Sequence, residues 1–191
     1  MKGARARNNK MGLIGIQRMK VIKADGSIRR QYQEFRPFAY LRKMYGIAMP
    51  KLVGIFGFMT DEVVFENLIT NAGFAGAAAR LGHDSTEAKF DYIGVGTGTT
   101  AAAAGNTTLE AEIADSGLSR AVGTVTRVTT TQTNDTHNVA KTFTVTGTKA
   151  ITEMGLLNAA SNGVLLGRNV FSAVNVVNTD SFIATYQVKC A

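Results

Sequence analysis

The feature that most constrains the fold is the alternating, threonine-rich texture of the chain from Phe90 onward. Short runs are separated by Gly or Asn, and sixteen of the 22 threonines lie between Thr97 and Thr148. β-Branched residues in such runs favour strands, and an apolar residue at every second position is typical of a half-buried strand. The residues predicted to face the core are Val139, Phe143, Val145, Phe182, Ala184, Tyr186 and Val188. The pattern predicts a mainly β fold, either an antiparallel β-sandwich or a jelly-roll-like barrel.

Other segments supply further elements. Strands are predicted at Gly12–Ile22, Val63–Ile69, Ile151–Leu157, Val164–Phe171 and Val174–Val177, with turns at residues 158–163 and 178–180. Asp25-Gly26 indicates a hairpin turn of type I′, with Ser27–Gln33 as the returning strand. An Ala-rich helix is predicted over Ala72–Leu81, ended by Gly82, and a second short helix between the two prolines, Pro37 and Pro50. A chain of 191 residues suits one compact domain with an arm, so we divide it into residues 1–58 and a body of residues 59–191.

Composition excludes several classes of protein. The single cysteine, Cys190, allows no intrachain disulfide and no Cys-based zinc site, and the chain has only two histidines. No apolar stretch reaches the roughly 18 to 20 residues of a membrane span, and the basic start lacks the apolar core of a secretion signal. We therefore expect no membrane association, no metal and no cofactor.

Charge is distributed very unevenly along the chain. Met1–Lys51 contains thirteen Lys or Arg and only two acids, whereas the rest contains eight basic and twelve acidic residues; the net charge is +7. A basic N-terminal region joined to a mildly acidic body indicates an attachment element that binds an acidic partner.

The residues predicted to make that contact are basic, with Phe56 and Phe58 as its apolar part; burial of these two phenylalanines in the core is the alternative. Phosphate binding would use the same cations, with aromatic residues of 32–45 stacking on bases. The alternative is that Phe35, Phe38, Leu41 and Tyr45 form the apolar face of a helix, because they recur at three- and four-residue intervals. The predicted partner-binding residues are Lys2, Arg5, Arg7, Lys10, Arg18, Lys20, Arg29, Arg30, Arg36, Arg42, Lys43, Phe56 and Phe58.

Three sequence patterns resemble functional motifs, but none of them supports a binding or catalytic site. The glycines of residues 94–99 lack both the G-x-G-x-x-G spacing and the Gly-Lys-Ser/Thr of phosphate loops, so we interpret them as a wide turn between strands whose small residues pack closely. His83 and His137 have no carboxylates at a spacing that indicates a metal or a catalytic triad, and we place His137 in a polar turn. Glu110, Glu112 and Asp115 are interpreted as a solvated face. We expect no catalytic residue.

Several longer motifs occur in a characteristic order. They are ENLITNAGFAGAAARLG at Glu66–Gly82, FDYIGVGTGTT at Phe90–Thr100, LEAEI at Leu109–Ile113 and ITEMGLLNAASNGVLLGRNVF at Ile151–Phe171, before a closing strand of Thr and aromatic residues. This order resembles a family of structural proteins of tailed bacteriophages. The resemblance covers about residues 63–188 and implies a β-rich particle component that is not an enzyme and makes protein contacts. The basic residues 1–58 depart from the family pattern.

Together these observations predict a structural virion protein, made in the host cytoplasm and present in many copies or as a homo-oligomer. The leading hypothesis is a capsid decoration protein anchored by its basic N-terminal region to other virion proteins, such as the major capsid protein. A tail, baseplate or fibre-adaptor subunit is the alternative. A nucleic-acid-binding accessory protein is a third hypothesis, which predicts DNA affinity that falls steeply with salt.

Overall fold

The computed structural model describes residues 12–34, 57–83 and 86–190, and half of these described residues are in strands. The described residues form eleven strands and one helix. The strands are β1 (Leu13–Ile22), β2 (Gln31–Glu34), β3 (Gly57–Thr60), β4 (Val63–Ile69), β5 (Tyr92–Gly96), β6 (Ala121–Val122), β7 (Thr124–Val128), β8 (Thr136–Thr144), β9 (Lys149–Leu157), β10 (Leu165–Val176) and β11 (Ser181–Cys190). The helix, α1, spans Asn71–Leu81.

Nine of the strands form one antiparallel sheet in the order β6-β5-β9-β10-β4-β1-β11-β8-β7. Its two terminal strands, β6 and β7, are separated in the chain by Gly123 alone, so the sheet curls back on itself into a nearly closed barrel-like form. A Cβ atom at Gly123 would lie 2.6 Å from Val139 Cγ1, which explains why glycine occupies the crossing. The predicted mainly β, antiparallel fold is confirmed.

The core lies inside this barrel. Its members alternate along the strands with outward-facing residues, and the Phe65 and Phe171 rings stack with their centroids 5.1 Å apart. All seven residues predicted to face the core on residues 139–188 are buried. The apolar area removed from water stabilises the barrel at about 25 cal/mol per Å².

The predicted first strand is confirmed as β1, but its predicted hairpin partner is wrong. Beyond the turn the two segments share one isolated bridge, between Ile22 and Ile28, and β2 pairs with β3 instead. Gly26 has φ +80°, whereas Asp25 is not in the left-handed region, so the turn is not type I′. Gly26 N donates to Lys23 O at 2.9 Å, and Lys23 N donates to Ser27 O at 2.8 Å. These two hydrogen bonds, with Gly26 in the left-handed region, are typical of a three-residue hairpin loop.

β1 lies between β4 and β11 in the large sheet, so this part of the predicted arm is a strand of the barrel. The division into residues 1–58 and 59–191 stays a prediction. The predicted helix between Pro37 and Pro50 lies outside the described residues, as do Phe35, Phe38, Leu41 and Tyr45.

The predicted Ala-rich helix is confirmed as α1, with Gly82 as its C-cap. Thr70 is the N-cap: its Oγ1 accepts from Gly73 N at 2.9 Å and donates to Leu165 O at 2.5 Å. A Cβ atom at Gly73 would lie 2.0 Å from Leu166 O, so glycine lets the helix approach the backbone of β10 closely. In the described part of the chain, no helix has the length and apolar character to cross a bilayer.

Two predicted strands, Val164–Phe171 and Val174–Val177, are one strand, β10. The pairing with β9 shifts register between Val170 and Val174, where the strand is irregular without ending. The change of pattern in the sequence therefore marks a bulge within the strand. The predicted turns on either side of β10 are both present.

Candidate functional site

The candidate contact surface is the outer side of β1, which we call the β1 face. Residues of β1 alternate between the core and this face, so Met19 and Val21 are fully buried while Arg18 and Lys20 point outward. Ile14, Ile16 and Ile22 share the outer side with them, and Ile14 is 44% exposed. The face therefore combines two cations with an apolar stripe.

Neighbouring strands extend the β1 face. Arg18 lies opposite Val64 of β4 and Thr185 of β11, and Lys20 lies opposite Ile183 of β11. Arg18 Nη1 is 3.2 Å from Glu62 Oε2, with both side chains nearly half exposed. A solvated pair of this kind contributes at most about 1 kcal/mol, so Arg18 is able to exchange Glu62 for another acid. The face can make charge-assisted contacts with an acidic partner and bury isoleucine side chains against it.

Arg29 and Arg30 are engaged within the molecule. Arg29 forms two bonds to the buried carboxylate of Asp180, from Nε at 3.1 Å and from Nη2 at 3.0 Å. Arg30 Nη2 donates to Met59 O at 2.7 Å, and its Nε lies 3.5 Å from Asp61 Oδ1. Arg29 thus ties the segment after β1 to the turn between β10 and β11.

Phe58 is the one predicted apolar contact residue among those that the structure describes. It lies on β3 opposite Gln33 and is 42% exposed, next to the exposed Met59. The remaining predicted partner-binding residues lie outside the described ranges: Lys2, Arg5, Arg7, Lys10, Arg36, Arg42, Lys43 and Phe56.

A second polar cluster, which the sequence analysis missed, centres on the fully buried Glu153 of β9. Glu153 Oε1 accepts from Gly98 N at 3.1 Å and Ala111 N at 2.7 Å. Its Oε2 accepts from Glu110 N at 3.0 Å and from Arg168 Nε at 2.7 Å. We call this arrangement the Glu153 clasp, because it fixes the long loop of residues 97–111 against the outer side of β9 and β10. An acid within the otherwise apolar run ITEMGLL is the sequence signal that marks it.

The clasp brings together the motifs that carry the phage resemblance. Gly98 comes from FDYIGVGTGTT, Glu110 and Ala111 from LEAEI, and Glu153 and Arg168 from the motif that spans β9 and β10. Each of these motifs supplies at least one group to the buried cluster, so the fold of the loop gives all three a structural role.

Glu110 and Asp115 are exposed, as predicted for a solvated face, and Glu112 is half-buried, but each acid also has a basic partner. Glu110 Oε2 is 3.2 Å from Arg168 Nη2, Glu112 forms two bonds to Arg120, and Asp115 Oδ1 is 2.8 Å from Lys149 Nζ. Bonds from the Thr100 hydroxyl and amide lower the pKa of Glu110, and the bond from Lys149 lowers that of Asp115. All three acids stabilise the loop that covers β5 and β9.

The glycine-rich stretch of residues 94–99 is only partly the predicted wide turn, because residues 97–99 lie in the loop that follows β5 but residues 94–96 belong to the strand. Gly94 and Gly96 lie within β5, and a Cβ atom at Gly96 would lie 2.3 Å from Glu153 Oε1. These glycines leave room for the clasp and its loop against the strand. The sequence pattern of glycines therefore reflects close packing over a sheet.

His137 is also placed differently from the prediction, since it lies in β8, where its Nε2 is 2.8 Å from Phe90 O. His83 is exposed and follows Gly82 at the end of α1, whereas Asp84 and Ser85 lie outside the described ranges. Nowhere in the described ranges do three or more His, Cys, Asp or Glu side chains form a group that could hold a metal. An open cleft of about 280 Å³ lies beside the clasp. The residues that line it are Thr100, Gly105, Asn106, Thr107, Thr108, Glu110 and Arg168.

Comparison of the chain with protein families, with curated proteins and with solved structures finds no match.

Proposed function

We propose that this protein is a structural component of a tailed-bacteriophage virion, a capsid decoration protein without enzymatic activity. The observation that carries the proposal is the β1 face, where Arg18 and Lys20 stand beside outward-facing isoleucines, including the exposed Ile14, on the strand that follows the basic residues 1–11. The order of motifs along residues 63–188 supports a virion component.

In this proposal the β1 face docks on an acidic surface of a capsid protein. Its cations form charge-assisted hydrogen bonds, and its isoleucines are removed from water. The other basic residues of 1–51 add attraction that weakens as salt rises. Copies bound side by side on a particle gain avidity without any new type of contact.

The first experiment locates the protein on purified particles by gold-labelled antibody, with the copy number from quantitative mass spectrometry. Hundreds of copies spread over the head support decoration. A few copies at the tail would select the tail, baseplate or fibre-adaptor alternative. Absence from particles would refute the virion proposal, and DNA affinity of the purified protein that falls steeply with salt would then favour the nucleic-acid hypothesis.

The second experiment tests the β1 face itself with purified protein added to particles assembled without it. Arg18→Glu/Lys20→Glu should weaken binding about tenfold or more, because both cations become acids facing an acidic surface. Arg80→Glu/Arg127→Glu makes the same change of charge at two exposed positions elsewhere on the molecule and serves as the control. Equal binding by the two double variants would show that net charge, and not the β1 face, governs attachment.

A further inference from the structure

β7 is the last strand of the large sheet, and no other described strand pairs with one of its edges, which we call the free edge. Its other edge pairs with β8 from Thr124 opposite Ala140 to Val128 opposite Thr136. Among the described residues, no backbone hydrogen bond reaches the free edge of β7. Its side chains are exposed on both faces, from Thr124 to Arg127.

The way the barrel closes explains why this edge stays open. At Gly123 the chain leaves β5, where Gly123 N donates to Asp91 O at 2.7 Å. Just before β5, Phe90 O lies 2.8 Å from Nε2 of His137, which is on β8. This contact joins the region of β5 to β8. The barrel thus closes across β8 while β7 continues along its outer margin.

The free edge carries few of the features that usually protect an edge strand. Four of its five residues are β-branched, it has no proline and no lysine, and its register with β8 is continuous. Arg127 is its only charge, and Val125 is 42% exposed. A regular, β-branched edge of this kind readily pairs with another strand.

We propose that β7 pairs antiparallel with β7 of a second copy of this chain, about a two-fold axis at Thr126. In this register Thr124 lies opposite Val128 of the second copy, and Val125 lies opposite its Arg127. No like charges face each other, whereas a register centred on Arg127 would set two guanidinium groups opposite one another. An identical strand also supplies the same set of backbone donors and acceptors, as a two-fold interface requires.

The size of the contact sets its strength. A pair of five-residue strands buries less than the roughly 1,000 Å² of a stable interface, so we expect a dissociation constant on the order of 100 µM. Many copies held on one surface would make such a contact effective. The inference does not depend on the proposed function, because it is tested on the purified chain alone.

The test is sedimentation velocity of the full chain over a concentration series. Wild-type protein should associate reversibly, and Thr126→Lys and Thr126→Glu should each weaken association about tenfold or more, since each places like charges opposite one another. An equimolar mixture of the two variants should restore association, because lysine then faces glutamate. Thr142→Lys and Thr142→Glu, on an exposed position of β8, should associate as the wild type does.

Three results would overturn the inference. One is a wild-type chain that stays monomeric at about 500 µM. Another is a mixture of Thr126 variants that associates no better than either variant alone. The last is an equal loss of association in the Thr142 variants. Because the mixture contains only variants that have each lost the Thr126 hydroxyl, its recovery separates pairing from any local effect on folding.

Discussion

Glu153→Gln tests the clasp most directly. The substitution keeps the shape of the side chain, removes its charge and turns one acceptor into a donor. Glu153 and Arg168 are almost completely buried, so Arg168 would lose its closest counter-charge in a water-poor site. At least one of the amides of Gly98, Glu110 and Ala111 would then face an NH₂ group. Removing one partner of a buried ion pair costs about 3–5 kcal/mol.

The assay is urea and thermal unfolding of the full chain followed by far-ultraviolet circular dichroism, since the chain has no tryptophan. For a chain of this size, about 2–4 °C per kcal/mol predicts a fall in Tm of about 6–20 °C. Hydrogen exchange should also accelerate at the amides of Gly98, Glu110 and Ala111, because the loop is released from β9.

Glu110→Gln is the matched control. Glu110 contacts the same guanidinium, but its side chain is 38% exposed and water can replace it. Its loss of stability should be clearly smaller than that of Glu153→Gln. Equal losses in the two variants, or a loss below about 1 kcal/mol for Glu153→Gln, would refute the interpretation of Glu153 as the centre of the loop's attachment.

Two further predictions concern packing and pH. Gly73→Ala should lower the free energy of unfolding by about 1–3 kcal/mol, because its Cβ would meet Leu166 O. Gly105→Ala should leave the free energy of unfolding unchanged, because open space surrounds Gly105. Urea unfolding of both variants measures the two free energies, and similar losses of stability would contradict the packing argument. Complete burial raises the pKa of Tyr186, so above pH 10 the unfolded chain loses a proton that the folded chain keeps. Stability should therefore fall with rising pH by up to about 1.4 kcal/mol per unit, and Tyr186→Phe should remove this component from urea unfolding at pH 9 to 11. If the free energy of unfolding of Tyr186→Phe fell with pH as steeply as that of the wild type, the role given to Tyr186 would be disproved.

Local patterns predicted much of the fold. The alternation at residues 139–145 and 182–188 identified the buried sides of β8 and β11, because a strand turns successive side chains to opposite faces wherever it pairs. The C-terminal limit of α1 was also readable, since a glycine after the helix acts within its last turn, whereas the helix begins one residue before the predicted start.

The partners of the strands were not readable in the same way. The turn at Asp25-Gly26 forms, yet β2 pairs with β3 and β1 enters the large sheet, since pairing depends on burial against strands far away in the chain. Threonine and glycine patterns likewise did not reveal that residues 97–111 cover the outer side of the sheet.

For the candidate sites, the amino-acid pattern identified the cations of β1 and placed them in a strand. The pairing of Arg29 with Asp180, the position of Arg18 and Lys20 among outward isoleucines, and the place of β7 at the end of the sheet among the described strands follow from the folded structure alone. The physical reason is that periodicity is a property of neighbouring residues. Salt bridges, the clasp and an open edge depend instead on which distant segments the barrel brings together.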